Sequence, residues 1–226
     1  MPESAPAAMR LEIARTAIDL LPAPAVWLPE SGDLIVADVH LGKSAAFRAR
    51  GIPVPEGETA ADLERLSDLT RSMAAKRLLV AGDLVHAPAS LGGGFPVRLA
   101  EWCESLDCDI LLIEGNHDRR AGRIAMETVP FLDIGGLRVV HDPADLAADQ
   151  PGIAGHLHPS LRIAASPRSS LRQACFRLRG EQLVIPAFGS FTGSHPLTPE
   201  PGERYFAALR EKLVEIPYEL ASRGLR

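Results

Sequence analysis

Three shortages bound the protein before any motif is read. Cysteine is scarce: Cys103, Cys108 and Cys175 in 226 residues are odd in number and form no CxxC pair, which excludes a disulfide scaffold and a cysteine-rich zinc finger. Long apolar runs are missing. None approaches the roughly 18 residues that span a bilayer, and Glu3, Glu12 and Asp19 interrupt the opening stretch where a signal peptide needs an unbroken apolar core. The expectation is a cytoplasmic protein with reduced thiols and no membrane partner. Positive charge is also short: 24 Lys and Arg against 29 Asp and Glu leave a formal net charge of −5, so any nucleic-acid contact must be local.

What is present fits one compact domain, with 46% hydrophobic and 23% charged positions and no repeat of solenoid length. The Ala/Pro-rich residues 1–25 are expected to form a mobile tail, and 26–226 a single domain. Ala25 to Leu28 and Leu34 to Ala37 flank a Pro-Glu-Ser-Gly turn and predict a hairpin. Thr59 to Ala75 carries Leu63, Leu66, Leu69 and Met73 at helical spacing, and Val97 to Leu106 predicts a second helix. Between and after them, Arg77 to Ala81 and Ile110 to Ile113 read as buried strands, so the first half is a β-α-β-α-β succession. The second half changes texture. Short strands at 131–134, 137–140, 175–178 and 183–185 are closed by tight turns, and Tyr205 to Leu209 with Leu213 to Ile216 suggests a last hairpin. An α/β first half and a strand-rich second half imply two sheets packed together with helices outside.

Chemistry concentrates in five blocks, each where a predicted strand ends: Asp38-Val39-His40, Gly82-Asp83-Leu84-Val85-His86, Gly115-Asn116-His117-Asp118, His141-Asp142 and Gly155-His156-Leu157-His158. Of the seven histidines, only His195 lies outside them, in a loop before Pro196 where a solvated side chain is the default. Open α/β sheets gather ligands beyond the carboxyl ends of their strands. Carboxylate with imidazole suits Mn, Zn or Fe better than the hard cations Ca and Mg, and the donors outnumber what one ion needs. Two ions sharing a bridging carboxylate is the economical reading, and such a pair serves in-line displacement at phosphorus.

The order D-x-H, G-D-x-x-H, G-N-H-D, H, G-H-x-H resembles the calcineurin-like metallophosphoesterase superfamily. Leu41-Gly42-Lys43-Ser44-Ala45-Ala46-Phe47-Arg48 and Pro186-Ala187-Phe188-Gly189-Ser190-Phe191-Thr192-Gly193 are similar to the ligase-associated DNA damage response endonuclease PdeM subgroup. The resemblance implies a four-layer αββα sandwich with two mixed β-sheets, of mixed α/β class. It implies that Asp38, His40 and His158 hold one metal, that Asn116, His141 and His156 hold the other, and that Asp83 bridges both. It further implies two divalent ions, with Mn favoured and Zn or Fe as alternatives, and a hydroxide between them as nucleophile. His117 would be the general acid, oriented by Asp118. The implied activity is phosphodiester hydrolysis, as a DNA endonuclease in repair beside an ATP-dependent DNA ligase and a helicase.

His86 stands where many members of the superfamily carry aspartate, and it is expected to line the site or touch a substrate phosphate rather than bind metal. Arg119 and Arg120, with Arg123, are candidates for a cationic lip, which Lys43, Arg48 and Arg50 would extend. Asp142 is either functional or a turn cap. The Gly-rich stretch 87–94 is a candidate gate. Competing readings are a small-molecule phosphoesterase, acting on nucleotides or a UDP-linked lipid precursor, and a non-catalytic metal-stabilised scaffold. The intact ligand set argues against the scaffold, and the oligomeric state is open.

Overall fold

The structure is a computed structural model, and it describes residues 8–86, 94–121, 124, 126–166, 169–209 and 211–223. Strands β1 (Met9–Ile13), β2 (Thr16–Leu21), β3 (Ala25–Leu28), β4 (Asp33–Val36), β5 (Arg77–Ala81), β6 (Asp109–Ile113) and β7 (Glu127–Val129) lie in that order in a seven-stranded sheet. The first four run antiparallel and β4 to β7 run parallel, so the sheet is mixed.

The second sheet has nine strands: β8 (Leu132–Ile134), β9 (Leu137–Val140), β10 (Gly152–Ala154), β11 (Pro159–Ser166), β12 (Ser169–Arg179), β13 (Gln182–Val184), β14 (His195–Pro196), β15 (Glu203–Ala208) and β16 (Leu213–Ile216). Its order is β14-β11-β12-β13-β10-β9-β8, with β15 paired to β12 and β16 to β15. The expected last hairpin is the β15–β16 pair.

Alternation along the central strands builds the layers. Ile35, Leu79 and Ile113 point between the sheets, where they meet Val139, Ile153, Phe176 and Phe206. Leu34, Val36, Leu78, Val80 and Leu112 point the other way, against Leu66 of α2 (Glu58–Ser72) and Leu99 of α3 (Phe95–Glu104). Both faces of these strands are covered, which is why they read as unbroken apolar runs. Each such Leu, Ile or Phe contributes about 1.5–3 kcal/mol by leaving water. On the far face of the second sheet, the short α5 (Tyr218–Arg223) places Ala221 against Leu161, Cys175, Tyr205 and Ile216. The four layers are therefore helix, sheet, sheet, helix, with only a thin outer cover on the second sheet. Two more short helices stand at metal-ligand blocks: α1 (Lys43–Ala49) follows the first, and α4 (Asn116–Ala121) begins within the third. Among the described residues no helix is long and apolar enough to cross a membrane.

One boundary is corrected. Residues 1–7 lie outside the described residues, but 9–21 are not a tail: they form β1 and β2, whose Ile18, Leu20 and Leu21 are fully buried. Asp19 within β2 is buried yet satisfied, because Arg10 on the paired strand donates two 2.7 Å bonds to its carboxylate. Flanking alanines and prolines hide this hairpin in the composition. Cys175 is buried and Cys103 and Cys108 are half-buried free thiols. Burial pushes the Cys103 thiol up to about 11 and the Cys175 thiol up to about 12, so neither has thiolate character near neutral pH.

Candidate metal centre

The parallel strands β4, β5 and β6 end side by side, and the chain leaves each through a ligand block: Asp38 after β4, Asp83 after β5, Asn116 after β6. From the second sheet, the parallel β9 and β10 release His141 and His156, and His158 precedes β11. The turns are tight. Among described non-glycine residues eight have positive φ, and five of these are Asp38 (55°), His40 (51°), Asp83 (52°), His156 (67°) and His158 (44°). A left-handed backbone at such residues costs on the order of 1 kcal/mol or more each and is held only where surroundings over-determine it.

Here the loops hold one another. The Asp38 N–H donates to the Gly82 carbonyl at 3.1 Å, His40 N–H to the Asp83 carbonyl at 2.9 Å, and Phe188 N–H to the Ala37 carbonyl at 2.8 Å. Glycine precedes Asp83, Asn116 and His156 because nothing larger fits. A Cβ on Gly82 would fall inside the His141 ring, one on Gly115 on the Asp83 backbone and carboxylate, and one on Gly155 within 2.6 Å of the Ala37 Cβ. Gly189 likewise leaves room for the Val39 carbonyl.

Two donor sets form. Asp38, His40 and His158 make one and Asp83, His141 and His156 the other, and among the described residues a third, all-imidazole group, His40, His86 and His117, shares His40 with the first; the ligand atoms of each group lie within 4.8 Å of one another. Hydrogen bonds fix which ring nitrogen faces inward. His141 Nδ1–H donates to the Ala81 carbonyl (3.1 Å) and His158 Nδ1–H to the Gly193 carbonyl (3.0 Å), which leaves both Nε2 lone pairs for the site. His141 Nε2 stands 3.1 Å from Asn116 Oδ1, 3.1 Å from His156 Nδ1 and 3.6 Å from Asp83 Oδ1. His40 Nε2 faces His158 Nε2 at 3.3 Å and Asp83 Oδ2 at 3.8 Å, so Asp83 addresses both sets with different oxygens.

The donors fit a pair of divalent cations. Asp38 Oδ1 is buried and accepts no hydrogen bond, although His158 Nε2 lies 3.3 Å away. A buried carboxylate oxygen without a donor calls for positive charge. His158 reports the same demand: burial works against its charge, yet the nearby Asp38 carboxylate and the Gly193 carbonyl hold its pKa above the ordinary value. His40 is driven the other way, down to about 2, by burial first and then by the surrounding His158, Lys43, His117 and His86. It is a neutral imidazole, the form that binds metal.

The remaining residues sort by position. The His117 Nδ1–H donates to the His86 carbonyl at 2.5 Å, which turns Nε2 toward Asp83 Oδ2 at 3.9 Å, and its backbone N–H donates to Asp83 Oδ1 at 2.8 Å. Asp118 does not orient that ring. Its buried carboxylate accepts from the Val85 and Gly115 N–H groups, each at 3.0 Å, and so ties two ligand loops together. His86 is in the cluster: its Nδ1 lies 3.4 Å from His40 Nδ1 and its ring stacks on His117, with burial first and then His117 lowering its pKa to about 4.

Asp142 is the turn cap considered for it, and it also lies beside His156. Oδ1 caps the turn at Pro143–Asp145 by accepting from the Ala144 N–H, and Oδ2 approaches His156 Nε2 at 3.6 Å. Arg119 and Arg120 are exposed on α4, and Arg119 is paired with Glu114 at 3.0 Å. Arg123 and 87–93 lie outside the described residues. His195 is exposed in β14, with its backbone N–H on the His158 carbonyl.

Lys43, considered from sequence only as part of a lip, sits half-buried at the start of α1 beside the site. Burial lowers its pKa and the Asp38 and Asp83 carboxylates oppose that. A brace is invisible in the sequence. Asp62 on α2 accepts from the Ser190 N–H and Oγ and from Arg65, whose guanidinium also lies 4.4 Å over the Phe188 ring, so α2 holds the 186–190 segment against the Asp38 loop. Its partners are 128 positions apart, beyond any local pattern.

Comparison with solved structures places a nuclease among the similar proteins. The crystal structure of the Pseudomonas putida nuclease MPE superposes with a TM-score of 0.75 at 30% identity, over 89% of this chain and 96% of that one. YfcE, a phosphoesterase from E. coli, is 16% identical over 81% of this chain and 97% of its own, with a TM-score of 0.41, too slight to carry an argument. No protein-family model and no curated protein matches the chain.

Proposed function

The chain belongs to the metallophosphoesterase family, and on that premise we propose that it is a metal-dependent phosphodiesterase working as a DNA endonuclease. The observation that carries this reading is the convergence of two complete carboxylate–imidazole donor sets, Asp38/His40/His158 and Asp83/His141/His156, in a chain 30% identical to a nuclease. Two divalent ions held there would supply a water acidified for attack at phosphorus and would share the charge that develops on its oxygens. Manganese suits the mixed oxygen and nitrogen donors, with zinc or iron as substitutes.

The chain's own residues provide the rest. Asp83 presents one carboxylate oxygen toward each set, which supports a bridging role. His117, anchored through Nδ1, keeps Nε2 free at the more exposed side of the cluster, in position to hold a proton for the departing oxygen. Asn116 Oδ1, 3.1 Å from His141 Nε2, completes the second set. Lys43 contributes positive charge beside two buried carboxylates where a phosphate would arrive. In this reading the protein acts on DNA in repair, beside the ATP-dependent DNA ligase and helicase that the sequence resemblance implies.

The test is cleavage of end-labelled single-stranded and hairpin oligonucleotides by Mn-loaded protein, alongside cyclic nucleotides, mononucleotides and UDP-sugars. Internal cuts that require Mn and disappear in Asp83→Ala are expected. Turnover of one small molecule with inert DNA would replace the nuclease reading by a small-molecule phosphoesterase.

A further inference from the structure

Strand arginines in this protein come with a carboxylate. Arg10 pairs with Asp19, Arg77 with Asp33, Arg138 with Asp133, Arg177 with Glu203, Arg179 with Glu200 and Arg204 with Glu215. Arg162 on β11 and Arg172 on β12 break the rule. They are exposed, they stand directly opposite each other in the antiparallel register, and neither has an acidic partner among the described residues. Like charges at opposed positions destabilise a strand pair, so the sequence tolerates here a cost that it avoids on its other strands.

Position gives that cost a purpose. Leu161 and Ile163 on β11, and Cys175 on β12, pack with the cluster under α5, whereas Phe176 points into the core between the sheets. By strand alternation Arg162 and Arg172 share the inter-sheet face with Phe176. Leu171, on the opposite face beside them, is 56% exposed, so this part of the hairpin stands clear of the body. The strand β11 begins directly after His158, and four residues of strand put Arg162 about 13 Å along the chain from that ligand.

We propose that opposed Arg162 and Arg172 make the paired part of β11 and β12 a backbone-binding arm for a DNA strand, neutralising phosphates that flank the one cut at the metal centre. The proposal rests on the nuclease reading. A chain with net charge −5 has no general attraction for a polyanion, and an arginine couple without an acidic partner among the described residues, on the strand pair that starts after His158, supplies it locally.

The experiment is steady-state cleavage of a labelled single-stranded oligonucleotide by full-length Mn-loaded protein across a salt series, for wild type, Arg162→Ala/Arg172→Ala, and Arg204→Ala as a paired strand arginine. The double variant is expected to raise KM roughly tenfold with kcat within about twofold. It should also flatten the dependence of log kcat/KM on log salt by about 1.4, which is about 0.7 for each phosphate that an arginine no longer neutralises. Arg204→Ala should follow wild type, and the Mn-induced rise in Tm of the double variant should match wild type, which reports an intact fold and metal centre. An unchanged KM and salt slope in the double variant, with wild type cutting normally, would overturn the arm alone. Failure of wild type to cut the oligonucleotide would instead remove the nuclease reading and the arm with it.

Discussion

The Nε2 atoms of His40 and His158 face each other across 3.3 Å although 118 positions separate them in the chain. A buried and a half-buried imidazole oriented nitrogen to nitrogen beside a carboxylate oxygen that accepts no hydrogen bond make sense around a cation. Metal should therefore stabilise the fold. At free Mn about 100-fold above Kd the gain is about 2.7 kcal/mol, or some 5–10 °C in Tm for a chain of this size. Differential scanning calorimetry with and without chelator measures it. Asp38→Asn should lose most of the increment; an equal increment in the variant would remove Asp38 from the ligand set.

Gly82 makes a sharper demand than its neighbours in sequence suggest. Its φ is +82°, and a Cβ there would occupy the His141 ring. Gly82→Ala should cost about 2–5 kcal/mol, combining left-handed strain with overpacking, and should abolish Mn binding by displacing His141. Urea denaturation and metal titration test the two halves separately. A variant with wild-type stability and wild-type metal stoichiometry would show that the loop yields easily.

These residues also show how much of the site is legible in the sequence. Ligands at the ends of strands are local features: Asp38, Asp83, Asn116, His141 and His156 each follow an apolar strand signal within a few residues, so the blocks and the β-α-β succession can be read directly. The glycines before Asp83, Asn116 and His156 are visible as letters, but their reason, contact with a different loop, is not. Residues 9–21 pass for a tail because alanine and proline on either side mask a short alternating pattern, and because the buried Asp19 is explained only by Arg10 across the hairpin. Adjacency assigns Asp118 to the His117 ring, while in the fold the His86 carbonyl occupies that place. Lys43 and the Asp62–Ser190 brace depend on contacts between distant segments, which residue spacing does not encode.

Acid sensitivity should trace to Glu203. Burial alone would raise its pKa, but bonds from Arg177 and from the Tyr205 hydroxyl outweigh that and hold the carboxyl below its ordinary value of 4.5. A carboxylate depressed in the folded state stabilises fully above its unfolded pKa, and the contribution fades as pH falls through the folded value. The Tm difference between wild type and Glu203→Gln should then be largest near neutrality and shrink below pH about 4.5. A difference independent of pH would mean that the Arg177–Glu203–Tyr205 group contributes packing and not charge.

The most direct measurement is incubation of a covalently closed single-stranded DNA circle with Mn-loaded wild type and with Asp83→Ala. A circle has no ends, so only an endonuclease can open it. Linear molecules followed by progressively shorter fragments with wild type, and intact circles with Asp83→Ala or with chelator, are expected. Circles left intact by wild type while it hydrolyses bis(p-nitrophenyl) phosphate, or circles opened equally by both proteins, would contradict an endonuclease built on the Asp83-centred site.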